Sequence, residues 1–151
     1  MKYFEDLTVG DKASFGSYEV TRAEVLAFAE KYDPQPFHLS DEAAAKTHFG
    51  RMSASGWHTC AMTMSMFVEH MKANPSASLG AGGIDELRWI KPVFPGDTLR
   101  LQHTILEKRP MSKRLDVGLV RTTWEMFNQH GDKVLYMEGY GMFRRREPGK
   151  A

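Results

Sequence analysis

The sequence predicts a single α+β domain in which an antiparallel sheet wraps around one long apolar helix. The segment from Ser53 to Val68 contains no Asp, Glu, Lys or Arg, which is typical of a helix buried inside a domain. Four stretches of β-rich composition follow one another after residue 78, as in an antiparallel sheet. Because 151 residues suit one domain of ordinary size, we expect residues 1–151 to fold as one unit.

The first elements expected along the chain are a strand and a helix. Phe15–Val20 has the composition of a short strand. Thr21 to Glu24 matches a capping box, which marks the start of a helix. Apolar residues then recur at helical spacing. The Asp33-Pro34 pair ends this pattern, so the helix should stop there.

Two further helices are expected before the sheet. Ser40 can cap a short helix that runs through Lys46 and stops near Gly50. The uncharged helix should begin at Ser55-Gly56 and end at Asn74-Pro75. Its apolar side chains occupy most of the helix circumference, so we expect other elements to enclose it; they are Cys60, Ala61, Met62, Met64, Met66, Phe67 and Val68.

The second half of the chain should supply most of the sheet. Alternating or β-rich stretches cover residues 86–89, 99–105, 115–127 and 134–143. Pro95-Gly96-Asp97 and His130-Gly131-Asp132 provide turn residues between them. A long sheet packed on one apolar helix is a common α+β arrangement.

Composition and charge exclude several classes of function. Hydrophobic residues make up 42% of the chain and charged residues 26%, which is ordinary for a globular protein. A formal net charge of +1 provides no overall attraction to nucleic acid or to an anionic membrane. The uncharged segment is also shorter than the ~20 residues that a membrane span requires. We therefore expect neither a nucleic acid nor a membrane as partner.

The use of cysteine and histidine indicates the compartment and argues against a metal. Cys60 is the single cysteine, so an internal disulfide cannot form and an oxidising compartment is not implied. Met1 to Asp11 lacks the apolar run of a signal peptide. Both features favour a cytoplasmic protein. His38, His48, His58 and Cys60 do not have the spacing of zinc ligands, and we expect no metal and no cofactor.

Asp33 and His38 are candidates for an acid/base pair because two prolines constrain the chain between them. Pro34 and Pro36 fix their own φ and move the residues before them away from the helical region. Five extended residues would span roughly 17 Å, so the two side chains can meet only across a turn. The alternative is a proline-rich surface turn in which Asp33 is a capping residue and His38 is solvated.

Taken in order, these features resemble the MaoC-like dehydratases and (R)-specific enoyl-CoA hydratases of the hotdog fold. The resemblance covers nearly the whole chain and rests on Phe28-Ala29, Asp33-x-Gln35-Pro36-x-His38, Ala43-Ala44, Ala54-Ser55-Gly56 and the run from Arg88 to Leu99. The last run is widespread among hotdog proteins, so it indicates the fold. The reaction is indicated by Asp33 and His38.

Three positions depart from the family pattern. The family commonly has Gly where this chain has Tyr32, and Asn where it has Gln35. Many members have His-Gly at the start of the long helix, whereas this chain has Ser55-Gly56. These departures bear on the positioning of the pair and on the acyl group that is accepted.

The resemblance implies addition of water across the α,β double bond of an acyl thioester, or the reverse dehydration. Asp33 and His38 would share the water and the proton, since a carboxylate can orient an imidazole that titrates near neutral pH. The backbone amide of Gly56, at a helix N-terminus, would donate to the thioester carbonyl. These three are the expected catalytic residues, and Ser55 and Trp57 are expected to contact substrate.

The partner implied by the resemblance is an acyl-CoA or acyl-carrier thioester, bound by a homodimer or a higher homo-oligomer. Two other functions stay open: a hotdog thioesterase, and a non-catalytic acyl-binding protein. Ser53 to Val68 lacks the carboxylate that several hotdog thioesterases carry on this helix. Basic residues at Lys108–Arg109, Lys113–Arg114 and Arg144–Arg146 are either solvated or in contact with CoA phosphates.

Overall fold

The computed structural model describes residues 1–149, which form a five-stranded antiparallel sheet and three α-helices. The helices are α1 (Arg22–Tyr32), α2 (Asp41–Ala45) and α3 (Gly56–Ala73). The strands are β1 (Lys12–Glu19), β2 (Glu86–Trp89), β3 (Thr98–Pro110), β4 (Val117–Phe127) and β5 (Lys133–Arg144). Their order in the sheet is β1-β3-β4-β5-β2. This is the expected hotdog architecture. No helix in the described part of the chain has the length and apolar character needed to cross a membrane.

Helix α1 begins where the sequence predicts, but its capping box is only half formed. The Thr21 side chain accepts a hydrogen bond from the backbone N–H of Glu24. The Glu24 carboxylate does not return the bond. It accepts one from the Tyr18 hydroxyl and lies 3.5 Å from Nε2 of His58. Glu24 therefore links α1 to β1 and α3, and the helix ends at Tyr32 as expected.

Helix α3 has the predicted limits, but the sheet covers only one of its sides. Met62 and Met66 are buried in the main core. The strand residues of that core are Leu99, Leu101, Met126, Val134, Leu135 and Met137. The expectation that other elements enclose the helix is wrong for the single chain, because Trp57, Met64 and Val68 on the opposite side are 60%, 46% and 41% exposed.

The predicted strands are confirmed, with three differences: β1 starts earlier, at Lys12, β3 continues to Pro110, and β2 lies apart from its successor in sequence. Strand β2 pairs with β5, with Leu87 opposite Met137, and forms an edge of the sheet. The connection from β2 to β3 contains Pro92 and Pro95. Proline cannot supply the N–H groups of a ladder, so this segment crosses to the other part of the sheet instead of forming a hairpin.

The basic residues near the C-terminus pack against the N-terminal turn. Arg146 donates to the Asp6 carboxylate through both terminal nitrogens, at 2.9 and 2.5 Å. Lys108 donates to the backbone carbonyl of Phe4 at 3.0 Å. Arg145 is only 8% exposed, so the expectation of a fully solvated tail is wrong at this position. These contacts join the two ends of the described chain.

Candidate active site

The proline-containing turn brings Asp33 and His38 together. Asp33 follows the last residue of α1, and Gln35 precedes a short 3₁₀ turn, Pro36–His38, in which the N–H of His38 bonds to the carbonyl of Gln35 at 2.9 Å. Oδ2 of Asp33 then lies 3.5 Å from Nε2 of His38. The two side chains are only 15% and 6% exposed. The alternative of a solvated His38 is therefore wrong.

The backbone carbonyl of Ser53 determines which nitrogen of His38 carries the proton. Nδ1 of His38 lies 2.7 Å from this oxygen. A carbonyl oxygen can only accept, so Nδ1 must donate, and the neutral imidazole presents its lone pair at Nε2. Phe37 and Phe49 contact the ring, with centroid distances of 4.6 and 6.0 Å. The lone pair of His38 is thus directed toward Asp33 in a fixed orientation.

Two neutral donors hold the Asp33 carboxylate. Nε2 of Gln35 donates to Oδ1 at 2.7 Å, and Oγ of Ser55 donates to Oδ2 at 2.7 Å. Burial alone would raise the pKa of Asp33, but these two bonds, together with the charge of His38 when that ring is protonated, outweigh it and hold the pKa below its usual range. Asp33 is therefore a carboxylate and a hydrogen-bond acceptor at neutral pH.

The start of α3 lies next to this pair because Ser55 links them. Ser55 is fully buried and directs its hydroxyl to Asp33, with no side-chain bond to the first turn of α3. Gly56 is the first helical residue, and the first N–H groups of a helix have no intrahelical acceptor. Such a group can donate to an oxyanion.

Gly56 is also in close contact with the indole of Trp89. Nε1 of Trp89 donates to the Gly56 carbonyl at 2.9 Å, and a Cβ on Gly56 would lie 2.6 Å from Cε2 of Trp89. The Trp57 ring packs edge-on against Trp89, at 5.2 Å between centroids. Trp57 is therefore near the helix start, and it is exposed.

An apolar groove of about 240 Å³ runs between the exposed side of α3 and the sheet. We call it the α3 groove, and its walls include Met64, Phe67, Val68, Trp124, Gly139 and Phe143. Neither Asp33 nor His38 is among the described residues that line it. His103 forms part of the wall, and burial lowers its pKa to about 4, so this histidine is neutral. Glu138 also lines the groove, and its carboxylate is paired with Arg121 at 2.6 Å.

Four contacts at the site were not expected from the sequence, and one of them, the bond from Ser55 to Asp33, joins residues 22 positions apart. The Gln35 bond to Asp33 could have been anticipated, because the two residues are adjacent to one proline in the motif. The contacts of the Ser53 carbonyl with His38 and of the Trp89 indole with Gly56 could not be predicted locally, because these residues are 15 and 33 positions apart. Within residues 1–149, no group of three or more His, Cys, Asp or Glu side chains is placed to hold a metal ion.

Comparison with protein families and curated proteins gives one family match and several relatives. The family model described as "MaoC like domain" matches residues 6–125. YdeM of Bacillus subtilis, an uncharacterized protein, is 29% identical over 130 residues, which cover 86% of this chain and 90% of YdeM. A 3-hydroxybutyryl-CoA dehydratase of Methylorubrum extorquens is 29% identical over 113 residues, covering 74% and 69%.

Solved structures show the same similarity over almost the whole chain. A MaoC-like dehydratase from Rhodospirillum rubrum is 38% identical with a TM-score of 0.86, covering 96% of this chain and 98% of the other. The (R)-hydratase PhaJ1 from Pseudomonas aeruginosa is 26% identical with a TM-score of 0.70, covering 96% and 86%.

Proposed function

Because the chain belongs to the MaoC-like domain family, we propose that it is a hydratase/dehydratase that interconverts enoyl and 3-hydroxyacyl thioesters, with CoA as the expected carrier. The names of its relatives support this reaction type, since they include an (R)-hydratase and a 3-hydroxybutyryl-CoA dehydratase. The observation that carries the proposal is the pair formed by half-buried Asp33 and buried His38, whose facing atoms are 3.5 Å apart.

The pair is suited to bind and activate one water molecule. Oδ2 of an ionised Asp33 and Nε2 of a neutral His38 are both acceptors, so neither has a hydrogen to give to the other. Their separation of 3.5 Å is also long for a direct hydrogen bond. A water molecule beside them can donate one hydrogen to each. Its oxygen lone pair then faces outward, toward the substrate.

Hydration proceeds by proton transfer through the same pair. The water oxygen forms a bond to the β-carbon of the enoyl thioester while a water proton moves to the pair, with His38 Nε2 as the expected acceptor. The electrons of the double bond move toward the thioester carbonyl. The pair then gives the proton to the α-carbon, which completes the addition of one water and restores the pair. Dehydration is the reverse sequence.

The start of α3 supplies the remaining group. As the water adds, negative charge develops on the thioester oxygen, and a preorganised N–H group stabilises it. We assign this role to the backbone amide of Gly56, which is connected to the pair through Ser55 and Asp33. Ser55 is buried behind the carboxylate, so we propose that it supports Asp33, while exposed Trp57 lies where substrate would approach.

The acyl chain has an apolar path along α3. Met64 and Phe67 follow Gly56 by 8 and 11 residues, and this spacing places them on the same side of the helix. Phe67 is about 16 Å from Gly56 along the axis. We propose that the acyl chain runs from the Gly56 amide into the α3 groove, which is apolar and contains a neutral His103.

The test is incubation with crotonyl-CoA and with longer enoyl-CoAs. The expected result is loss of the conjugated thioester absorbance without release of free thiol, and formation of the 3-hydroxyacyl-CoA. Release of thiol would show the thioesterase function instead, because hydrolysis breaks the carbon–sulfur bond. Binding of the acyl-CoA with neither change, at several chain lengths, would show the non-catalytic function.

A further inference from the structure

We propose that Gln35 is a positioning residue that holds Oδ1 of Asp33 so that Oδ2 alone faces the water and His38. The inference deepens the proposed function and rests on it. Gln35 stands where the family commonly has Asn, and it does not need to contact the substrate for this role. Three observations carry the proposal: the local backbone, the division of contacts between the two carboxylate oxygens, and the nature of the surrounding groups.

The backbone holds Gln35 rigidly next to Asp33. The N–H of Gln35 bonds to the carbonyl of Asp33 at 2.8 Å, which closes a tight turn around Pro34. Gln35 is extended, with φ −75° and ψ 139°, and Pro36 follows it. Both neighbouring prolines restrict the chain. The Gln35 side chain can therefore return to Asp33 with little loss of backbone entropy, and it meets Oδ1 at 2.7 Å.

The two oxygens of Asp33 have different partners. Oδ1 accepts from Gln35, whereas Oδ2 accepts from Ser55 and faces His38. The terminal torsion of an aspartate is broad and roughly two-fold, so Ser55 alone does not prevent the carboxylate from turning. A second donor on the opposite oxygen fixes the carboxylate plane. Without Gln35, we expect Oδ2 to spend less time in the orientation that binds water beside Nε2.

The groups around Asp33 make the effect of Gln35 measurable. On the 3₁₀ turn, His38 is the titratable group that faces Asp33, and on the α3 side its neighbour is the uncharged Ser55. The bond from Gln35 is among the causes that lower the pKa of Asp33. Loss of that bond should therefore raise the pKa of Asp33, and a like charge in its place should raise it further.

Three variants at position 35 distinguish the effect of the hydrogen-bond donor from the effect of side-chain shape. Gln35→Met keeps the length of the side chain without a donor, Gln35→Glu keeps the shape but adds a negative charge, and Gln35→Asn is one methylene too short for the same bond. Because Gln35 is exposed, each variant should fold. Ser112→Glu, in the exposed β3–β4 connection and away from the pair, is the control for an added charge.

Two readouts test the proposal. The first is the titration of the Asp33 carboxyl carbon by NMR, for which we expect the pKa order wild type, Gln35→Met, Gln35→Glu, from lowest to highest. The second is hydration of crotonyl-CoA, for which we expect kcat to fall about 10-fold to 100-fold in Gln35→Met with a nearly unchanged KM, as for a misplaced catalytic group. Gln35→Asn should lie between wild type and Gln35→Met.

The readouts distinguish this inference from the proposed function. An unchanged Asp33 titration in both Gln35→Met and Gln35→Glu would overturn the positioning role, whatever the activity. A kcat equal to that of the wild type in Gln35→Met, even with the Asp33 titration of that variant shifted, would also overturn it. If the wild-type protein hydrates no enoyl thioester, the proposed function fails, and the titration alone then decides whether Gln35 holds Asp33.

Discussion

Asp33 and His38 act on one water in the proposed reaction, so they should behave as a unit when they are changed. His38 is buried and Asp33 is half-buried, and each has a fixed partner, Ser55 for the carboxylate and the Ser53 carbonyl for the imidazole. The site is therefore organised before substrate arrives. Asp33→Asn and His38→Gln are close in shape to the wild-type residues, so their effects report on chemistry more than on folding.

We expect each single variant to hydrate enoyl-CoA at least ~100-fold more slowly, because a positioned acid/base group contributes ~10²–10⁴ in rate. The double variant should be little worse than the poorer single variant, since the groups share one water. Turnover of the wild type should fall on acidification as the pair gains a proton, and the lowered pKa of Asp33 means that its carboxylate is lost only at acidic pH. Steady-state kinetics from pH 5 to 9 measures both effects.

Exposed His130 provides the control for this comparison. It lies in the turn between β4 and β5, and His130→Gln should retain wild-type kinetics. Near-normal turnover in folded Asp33→Asn or His38→Gln would exclude the mechanism and favour the acyl-binding alternative.

At the scale of the elements, the start of α3 and strand β2 are in close contact. The indole of Trp89 on β2 lies on Gly56 so tightly that no other residue fits there without movement. Gly56→Ala should therefore displace the ring and lower the free energy of unfolding by about 1–3 kcal/mol, as overpacking does. In a Trp89→Ala background the added methyl group has no indole ring to contact, so Gly56→Ala should lower the free energy of unfolding by much less.

Thermal or denaturant unfolding of the four proteins in this cycle measures the coupling between the two positions. Tryptophan fluorescence reports on the ring directly. If Gly56→Ala lowers the free energy of unfolding equally in both backgrounds, the contact with Trp89 is not the reason for glycine at this position. Glycine would then be required by the backbone conformation at the helix start.

The same elements show what the sequence could predict and what it could not. The limits of α1 and α3 followed from local signals, namely the Thr21 cap, the prolines and the uncharged run. The position of β2 at the sheet edge did not follow from local signals, because its pairing with β5 joins residues about 50 positions apart. Glu24 lies at the predicted position in the cap. Its carboxylate, however, contacts Tyr18 and His58, which are brought near it only by the tertiary fold.

For the site, the sequence predicted the turn that joins Asp33 to His38 because the prolines act locally. It could not predict that Ser55 would be buried against Asp33, because the two are 22 residues apart. The motif alone predicts that Ser55 contacts substrate, and the hydrogen bond from Ser55 to Asp33 is not part of that prediction. The catalytic and substrate-binding roles of these residues stay predictions.

At the scale of the whole molecule, the exposed side of α3 and the free edge of β2 suggest self-association. Trp57, Met64 and Val68 are large, apolar and exposed on one side of the helix, and Trp89 continues the patch onto β2. In the described residues β2 pairs only with β5, and an unpaired edge next to an apolar patch favours a two-fold interface. We therefore expect a homodimer or a dimer of dimers.

Light scattering at micromolar concentration should give the mass of a dimer or tetramer for the wild type. Val68→Asp should lower that mass, because it places a charge within the patch. Leu115→Asp changes a still more exposed apolar residue in the β3–β4 connection and should leave the mass unchanged. A monodisperse monomer for the wild type would contradict this prediction.

The order of elements along the chain also sets a problem for synthesis on the ribosome. Helix α3 is complete at Ala73, whereas the last strand that packs on its core ends at Arg144, about 70 residues later. At usual elongation rates the apolar helix would wait roughly 4–14 s for that strand. During this interval Met62 and Met66 have no sheet to cover them, so we expect nascent chains stalled between α3 and β5 to aggregate or to recruit a chaperone.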